Sequence, residues 1–235
     1  MNLSYKDVLA FGLPYLVGVG AAYTLGYWGS FGINVLEFIG LSELGKMAVY
    51  PLLATLALGV LAMLGTQLLA ARVLPPGGGA NTPIGRAGVK HWRILVALLV
   101  LCIIAAATYA PEPGKWFLVA VLVGPLSVPL QHASQIREVL PNPPLRSLVL
   151  LLVVSLPAFS FAQGRLKAHL VKLGKGELAV DHRRSALPPP TDPEGQLAYV
   201  GFVGGTYVLR ETRTGVLLLV KAKDNAPLYL QPVAR

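Results

Sequence analysis

The chain has 235 residues, 54% hydrophobic and only 13% charged, with a mean hydropathy of +0.60, whereas an ordinary soluble domain carries about a quarter charged residues. Its 20 Lys+Arg and 11 Asp+Glu give a net charge of +9, but they are spread unevenly: residues 1–163 hold 9 basic and 5 acidic residues, and residues 164–235 hold 11 and 6. That pattern argues against a wholly soluble protein, and the basic residues do not gather on a nucleic-acid reader, so no nucleic-acid partner is expected.

The first apolar stretch, Val8–Tyr27, has no charge. It is too long for a signal-peptide core and is expected to stay as an anchor. Gly18, Ala22 and Gly26 recur along it at helical spacing. Small residues at that spacing let helix backbones approach closely, within one bundle or between copies of the chain.

Next comes "GYWGSFGINVLEFIG", residues 26–40, too polar for mid-membrane and too apolar for a solvated loop. Tyr27, Trp28 and Phe31 read as an aromatic belt at the outer interface. Asn34 and Glu37 are spaced as a capping box for a short helix lying in the interface. Gly40 ends that helix, and Glu43 sits at the positive end of the next span. Trp28, Phe31, Asn34, Glu37 and Glu43 are therefore the candidate functional residues of this loop, either as an anchoring elbow, as a pore vestibule or as a docking site for the tail.

Four more spans are expected: Met47–Ala71, Ile94–Ala110, Trp116–Ile136 and Leu148–Ala162. Each reaches or approaches the ~20 apolar residues a span requires, and Pro125 and Pro129 mark the fourth as kinked or broken. Between the second and third lies "VLPPGGGANTPIGRAGVKHW", residues 73–92, which lacks the Gly-Lys-Ser/Thr ending of a phosphate-binding loop and reads as a flexible linker. Cys102 lies in an apolar run and reads as packing. No ionisable residue falls mid-span, which disfavours a transporter. Thr108 and Ser155 are among the few polar residues there, accounted for by bonds to their own helix. With the N-terminus inside, Lys6, Arg72, Arg86, Lys90, Arg93, Arg137 and Arg146 flank the inner side and Lys46 and Lys115 the outer. The positive-inside rule then places the C-terminal part outside.

"FAQGRLKAHLVKLGKGE" continues the fifth span as a helix expected to end near Gly174. A short strand over Glu177–His182 and the rigid "LPPPTDPEG" follow. Four strand-like runs close the chain: Leu197–Val203, Thr206–Glu211, Val216–Ala222 and Leu228–Val233. Gly204-Gly205 signals a hairpin, and "VLLLV" at 216–220 reads as a strand buried on both faces. His169 and His182 have no third ligand at a usable spacing, so no metal or cofactor is expected.

The run "YTLGYWGSFGINVLEFIGLSELGKMAVYP", residues 23–51, resembles the first outer loop of a group of small, mostly uncharacterised bacterial inner-membrane proteins. Those have a multi-span bundle and a short β-rich tail after a phrase like "FAQGRLKA". The resemblance implies bacterial origin and inner-membrane location, and brings no activity.

The expected fold is thus an all-α membrane bundle of about five transmembrane helices with an interfacial helix in the first outer loop, followed by a small β-meander. Residues 1–163 form the transmembrane helical domain, 164–196 a juxtamembrane helix and Pro-rich linker, and 197–235 a small β-rich extramembrane domain. The expected function is non-enzymatic: an assembly, sensing or protein-binding module, partnered by the lipid bilayer and by itself or another membrane protein. A homo-oligomeric pore and a toxin-immunity or phage-defence component are the alternatives.

Overall fold

The structure, a computed structural model, describes residues 5–40, 44, 46, 49, 51–53, 57, 83, 86, 90–181, 184, 185, 187, 196–222 and 228–233. Helix α1 spans Tyr5–Gly29, and a single 3-10 turn follows at Val35–Glu37. Then come α2 (Trp92–Tyr109), α3 (Lys115–Val123), a 3-10 turn at Gly124–Leu126, α4 (Ser127–Leu130), α5 (Ser134–Val139) and α6 (Pro143–Lys172). The strands are β1 (Leu178–Val180), β2 (Leu197–Val203), β3 (Thr206–Glu211), β4 (Leu217–Lys221) and β5 (Leu230–Pro232).

The described residues do not form the expected five-span bundle. Among the described residues, two helices are long and apolar enough to cross a membrane, α2 and the Leu145–Lys172 part of α6. The expected span Trp116–Ile136 is divided among α3, a 3-10 turn, α4 and α5. Pro125 and Pro129 lack the N–H that would continue an α-helical ladder. The apolar part, Lys115–Leu130, rises about 24 Å, short of the ~30 Å hydrocarbon core. Val8–Tyr27 lies within α1, whose C-terminal turn is buried under the sheet instead of facing outward. Met47–Ala71 falls almost wholly outside the described residues. Hydropathy counts apolar residues without distinguishing those facing lipid from those packed inside the chain.

Helices α1 and α6 run parallel. The Tyr15 hydroxyl donates to the Val153 carbonyl at 3.0 Å, and further along Gly26 meets Phe161 and Gly164 meets Tyr23 and Tyr27. A Cβ at Gly26 would fall on the Phe161 carbonyl oxygen. A Cβ at Gly164 would fall on the Tyr23 carbonyl oxygen and lie 2.8 Å from the Tyr27 nitrogen. Helix α3 is antiparallel to α6: Trp116 packs edge-on against Phe161 at 4.8 Å, Gly124 lies beside Leu151 and Ser155, and beyond it Ser147 Oγ donates to Gln131 Oε1 at 2.7 Å. Helix α2 packs on α3 but leaves Ile94, Leu95, Leu98, Leu101 and Ile104 each more than half exposed, with only Ala106 buried.

Asn142 starts α6 by accepting the Leu145 N–H, with Pro143 in the first turn. The helix ends where Gly174 turns left-handed at φ +70°. The Gly174 N–H reaches the Val171 carbonyl and the Lys175 N–H the Leu170 carbonyl, the paired bonds of a Schellman motif.

The five strands form one antiparallel sheet in the order β4-β3-β2-β1-β5. It is not the simple meander expected, because β5 returns to pair with β1, matching Ala179 to Gln231. Strand β1 comes from the 164–196 segment. Gly204 and Gly205, both at positive φ, turn β2 into β3. Strand β4 is an edge strand with Leu219 64% exposed, not one buried on both faces. One sheet face carries Ala198, Val200, Val203 and Val208 onto Trp28, Phe31, Val35, Ala168 and Val171. Val180, Leu197 and Leu209 form a second cluster with Leu187, Leu218 and Leu228.

Gly164→Ala or Gly26→Ala is expected to cost about 1–3 kcal/mol of stability by overpacking the crossing. Gly18→Ala meets nothing within 4 Å and is expected to be neutral or to gain up to about 1 kcal/mol from helix propensity. Thermal unfolding in detergent checks both; equal midpoints for all three variants would remove the crossing from the account.

Candidate functional site

The site is built where α1 ends. Tyr23 and Tyr27 are one turn apart, on one helix face, and their rings lie parallel at 6.3 Å. Trp28 and Phe31 meet the Tyr27 ring edge-on at 5.5 and 5.4 Å. The chain then folds back over the helix end: the Phe31 and Ile33 N–H groups both donate to the Trp28 carbonyl, and Gly32 sits at φ +75°. This turn points Trp28 and Phe31 at the sheet.

Strand β2 is shaped to receive them. Its register with β3 slips between Tyr199 and Gly201, leaving Val200 as an extra residue, the mark of a β-bulge. The Tyr27 hydroxyl donates to the carbonyl of that bulged Val200 at 2.6 Å, in a buried setting. Next to it, Gly201 lies flat on the indole of Trp28: an added Cβ would stand 2.8 Å from Cη2 and Cζ2. Only glycine admits that approach.

Between the end of α1, the end of α6 and β2 a cleft of about 260 Å³ remains. Tyr23, Tyr27, Trp28 and Tyr199 give it aromatic walls, and Phe202, half exposed beside Tyr207 at 4.8 Å, stands at its rim. Lys167 and Glu177 also line it and pair at 3.3 Å. Both side chains are well exposed (45% and 79%), so the pair adds little stability and instead offers one cation and one anion to a ligand. Burial, and then the neighbouring Tyr207, push the Tyr199 hydroxyl above its ordinary range, so it remains a protonated donor. Aromatic walls with two charges at the edge suit an extended apolar or aromatic segment with polar ends. Among the described residues no three His, Cys, Asp or Glu come together to hold a metal ion.

The loop residues singled out in the sequence separate here. Trp28 is 5% exposed and Phe31 9%, so both belong to the junction core and not to an exposed belt. Val35 is also in that core. The expected interfacial helix is only the three-residue 3-10 turn, and Asn34 makes no capping bond to its backbone. The Asn34 amide donates instead to Glu37 Oε1 at 2.5 Å, and both residues are exposed away from the cleft. The loop turns inward because Trp28, Phe31 and Val35 share one buried cluster with Val200 and Val203 of β2. Glu43 lies outside the described residues. Of the small residues, Gly26 sits at the α1–α6 crossing, Ala22 is half-buried and Gly18 is exposed. Thr108 bonds back to Ile104 and Ala105, whereas Ser155 Oγ is buried with no hydrogen-bond partner among the described residues.

Gly164, Val200, Gly201 and Tyr199 were not anticipated. The available signal was Gly201: an isolated glycine inside a strand marks a bulge or a close backbone approach. No family model, no curated protein and no solved structure matches the chain.

Tyr27→Phe leaves the Val200 carbonyl without its buried donor and is expected to cost about 1–3 kcal/mol. Gly201→Ala is expected to push the indole aside and alter Trp28 fluorescence. Denaturant unfolding and fluorescence spectra check these; wild-type behaviour in both variants would mean that the sheet is not seated through this contact.

Proposed function

We propose that the chain is a non-enzymatic, membrane-anchored binding module. Its helical part lies in a bacterial inner membrane, and the aromatic cleft beneath its sheet receives an extended segment of a partner protein, from another membrane protein or a second copy of the chain. The observation carrying this reading is the open cleft at the joint, walled by side chains from both the helical part and the sheet. A partner seated there touches the membrane helices and the extramembrane sheet at once, which suits assembly or sensing.

Membrane placement is supported by α2, apolar all round and exposed along its length, a pattern that suits hydrocarbon and not water. The parallel course of α1 and α6 supports a sheet on the side opposite the N-terminus. The far end carries Lys90, Arg93, Arg137 and Arg146 in short flanks, as expected of a cytoplasmic side. The basic residues of the sheet end adjoin a folded domain, and such domains translocate largely regardless of charge.

A photo-crosslinking residue at Phe202 is expected to give a discrete adduct in native membranes, and one at Arg213, in the turn after β3, to give none. Absence of the Phe202 adduct, or equal adducts from both positions, would overturn the cleft as a binding site. A topology reporter fused after Arg235 is expected to be active outside the cytoplasm; activity only inside would reverse the placement.

A further inference from the structure

Beside the cleft, where α2 turns into α3, lies a second group of polar side chains that the binding reading does not use. Lys115 Nζ and the Arg165 guanidinium stand 5.3 and 5.5 Å from the centre of the Trp116 ring, and the same guanidinium is 5.5 Å from the Phe161 ring. Lys172 follows Arg165 by two helical turns, so both share one face of α6, and its ammonium lies 5.6 Å from the Phe31 ring. Arg210 reaches across from β3 and donates to the Lys172 carbonyl at 3.0 Å. Arg165, Lys172 and Arg210 thus follow one another along the sheet end of α6.

Charge in this neighbourhood is unbalanced. Among the described residues the cations Lys115, Arg165, Lys172 and Arg210 lie near one carboxylate, Glu112, which is already engaged by Lys115 at 3.1 Å and by the Trp116 indole N–H at 3.2 Å. Its partial burial favours the neutral acid, but the bonds from Lys115 and Trp116 and the charges of Lys115 and Arg165 outweigh that and hold it below the usual carboxylate range. It therefore neutralises one cation at most. Arg165 Nε is buried with no hydrogen-bond partner among the described residues, an arrangement that costs free energy unless an acceptor arrives.

The position of the cluster identifies the acceptor. On one side of it run the exposed apolar residues Ile104, Leu118 and Val121 of α2 and α3; on the other stands the polar sheet. Cations beside an interfacial tryptophan, directly above exposed apolar helix surface, match the junction between headgroup and acyl chains of a phospholipid. We propose that Lys115 and Arg165 bind the phosphate diester of an anionic phospholipid whose acyl chains lie along α2 and α3, with Lys172 and Arg210 adding positive charge further along α6. The guanidinium and ammonium groups donate to its non-bridging oxygens. This inference rests on the helical part being in a bilayer.

The test uses the full chain with vesicles of phosphatidylcholine alone and of equal parts phosphatidylcholine and phosphatidylglycerol. Flotation reports insertion, and native mass spectrometry after detergent extraction reports which lipid is retained. The wild type is expected to float with both and to retain phosphatidylglycerol preferentially. Arg165→Gln and Lys115→Gln are each expected to float and fold as the wild type but to lose that preference about fivefold, the effect of roughly one cation near a charged membrane surface. Arg165→Lys is expected to lose less than Arg165→Gln. Inorganic phosphate is expected not to displace the lipid. Failure to float with either vesicle overturns the membrane reading itself. Flotation with equal retention of both lipids overturns the headgroup site alone. Unchanged preference in both glutamine variants also overturns it, and displacement by inorganic phosphate assigns the cluster to a soluble phosphate instead.

Discussion

Two glycines face each other's backbones where α1 crosses α6. Gly26 lies against the Phe161 carbonyl, and Gly164 against the Tyr23 carbonyl and Tyr27 nitrogen. This close approach fixes two helices in parallel, with their C-terminal ends side by side. Every other feature of the junction follows from that alignment. Tyr27 and Trp28 are carried to the level at which α6 hands the chain on to β1, and Ala168 and Val171 of α6 join them in one buried cluster with the sheet. A larger residue at either glycine would separate the helices and lift the sheet from its seat.

The sheet answers with two local irregularities. The bulge at Val200 turns a carbonyl toward the Tyr27 hydroxyl, and Gly201 clears room for the indole. Each departs from regular strand geometry, and each is repaid by a contact from α1, some 170 residues earlier in the chain. The contacts bury one flank of the aromatic group and leave the other open, so the same side chains that join the two parts also wall the cleft. Trp28, Phe31 and Val35 of the first loop pack with the sheet in one buried cluster.

Much of the tail was legible locally. Strands β2 and β3 occupy the runs Leu197–Val203 and Thr206–Glu211 picked out by alternation and by the Gly204-Gly205 turn, because hairpin register depends on residues a few positions apart. The end of α6 at Gly174 was legible for the same reason. Misreadings occurred where a residue's neighbour is distant in sequence. Strand β5 joins β1 across fifty residues, "VLLLV" reaches an edge and not a centre, and Trp28 and Phe31 face a sheet that begins 150 residues later. In the helical part, Pro125 and Pro129 announced a break, but not that the remaining apolar length would fall short of a span.

The sequence by itself determined which residues are apolar, the strand runs Leu197–Val203 and Thr206–Glu211 with the turn between them, and the end of α6 near Gly174. Those properties follow from side-chain chemistry and near-neighbour backbone sterics, which act over one or two turns. Tertiary structure alone decided which apolar faces meet each other, that α1 and α6 run parallel, and that the first loop lies beneath the sheet. It decided them because burial is non-directional: Trp28 satisfies it equally against lipid, another helix or β2. Only the clearance offered by Gly26, Gly164 and Gly201 selects one of the three.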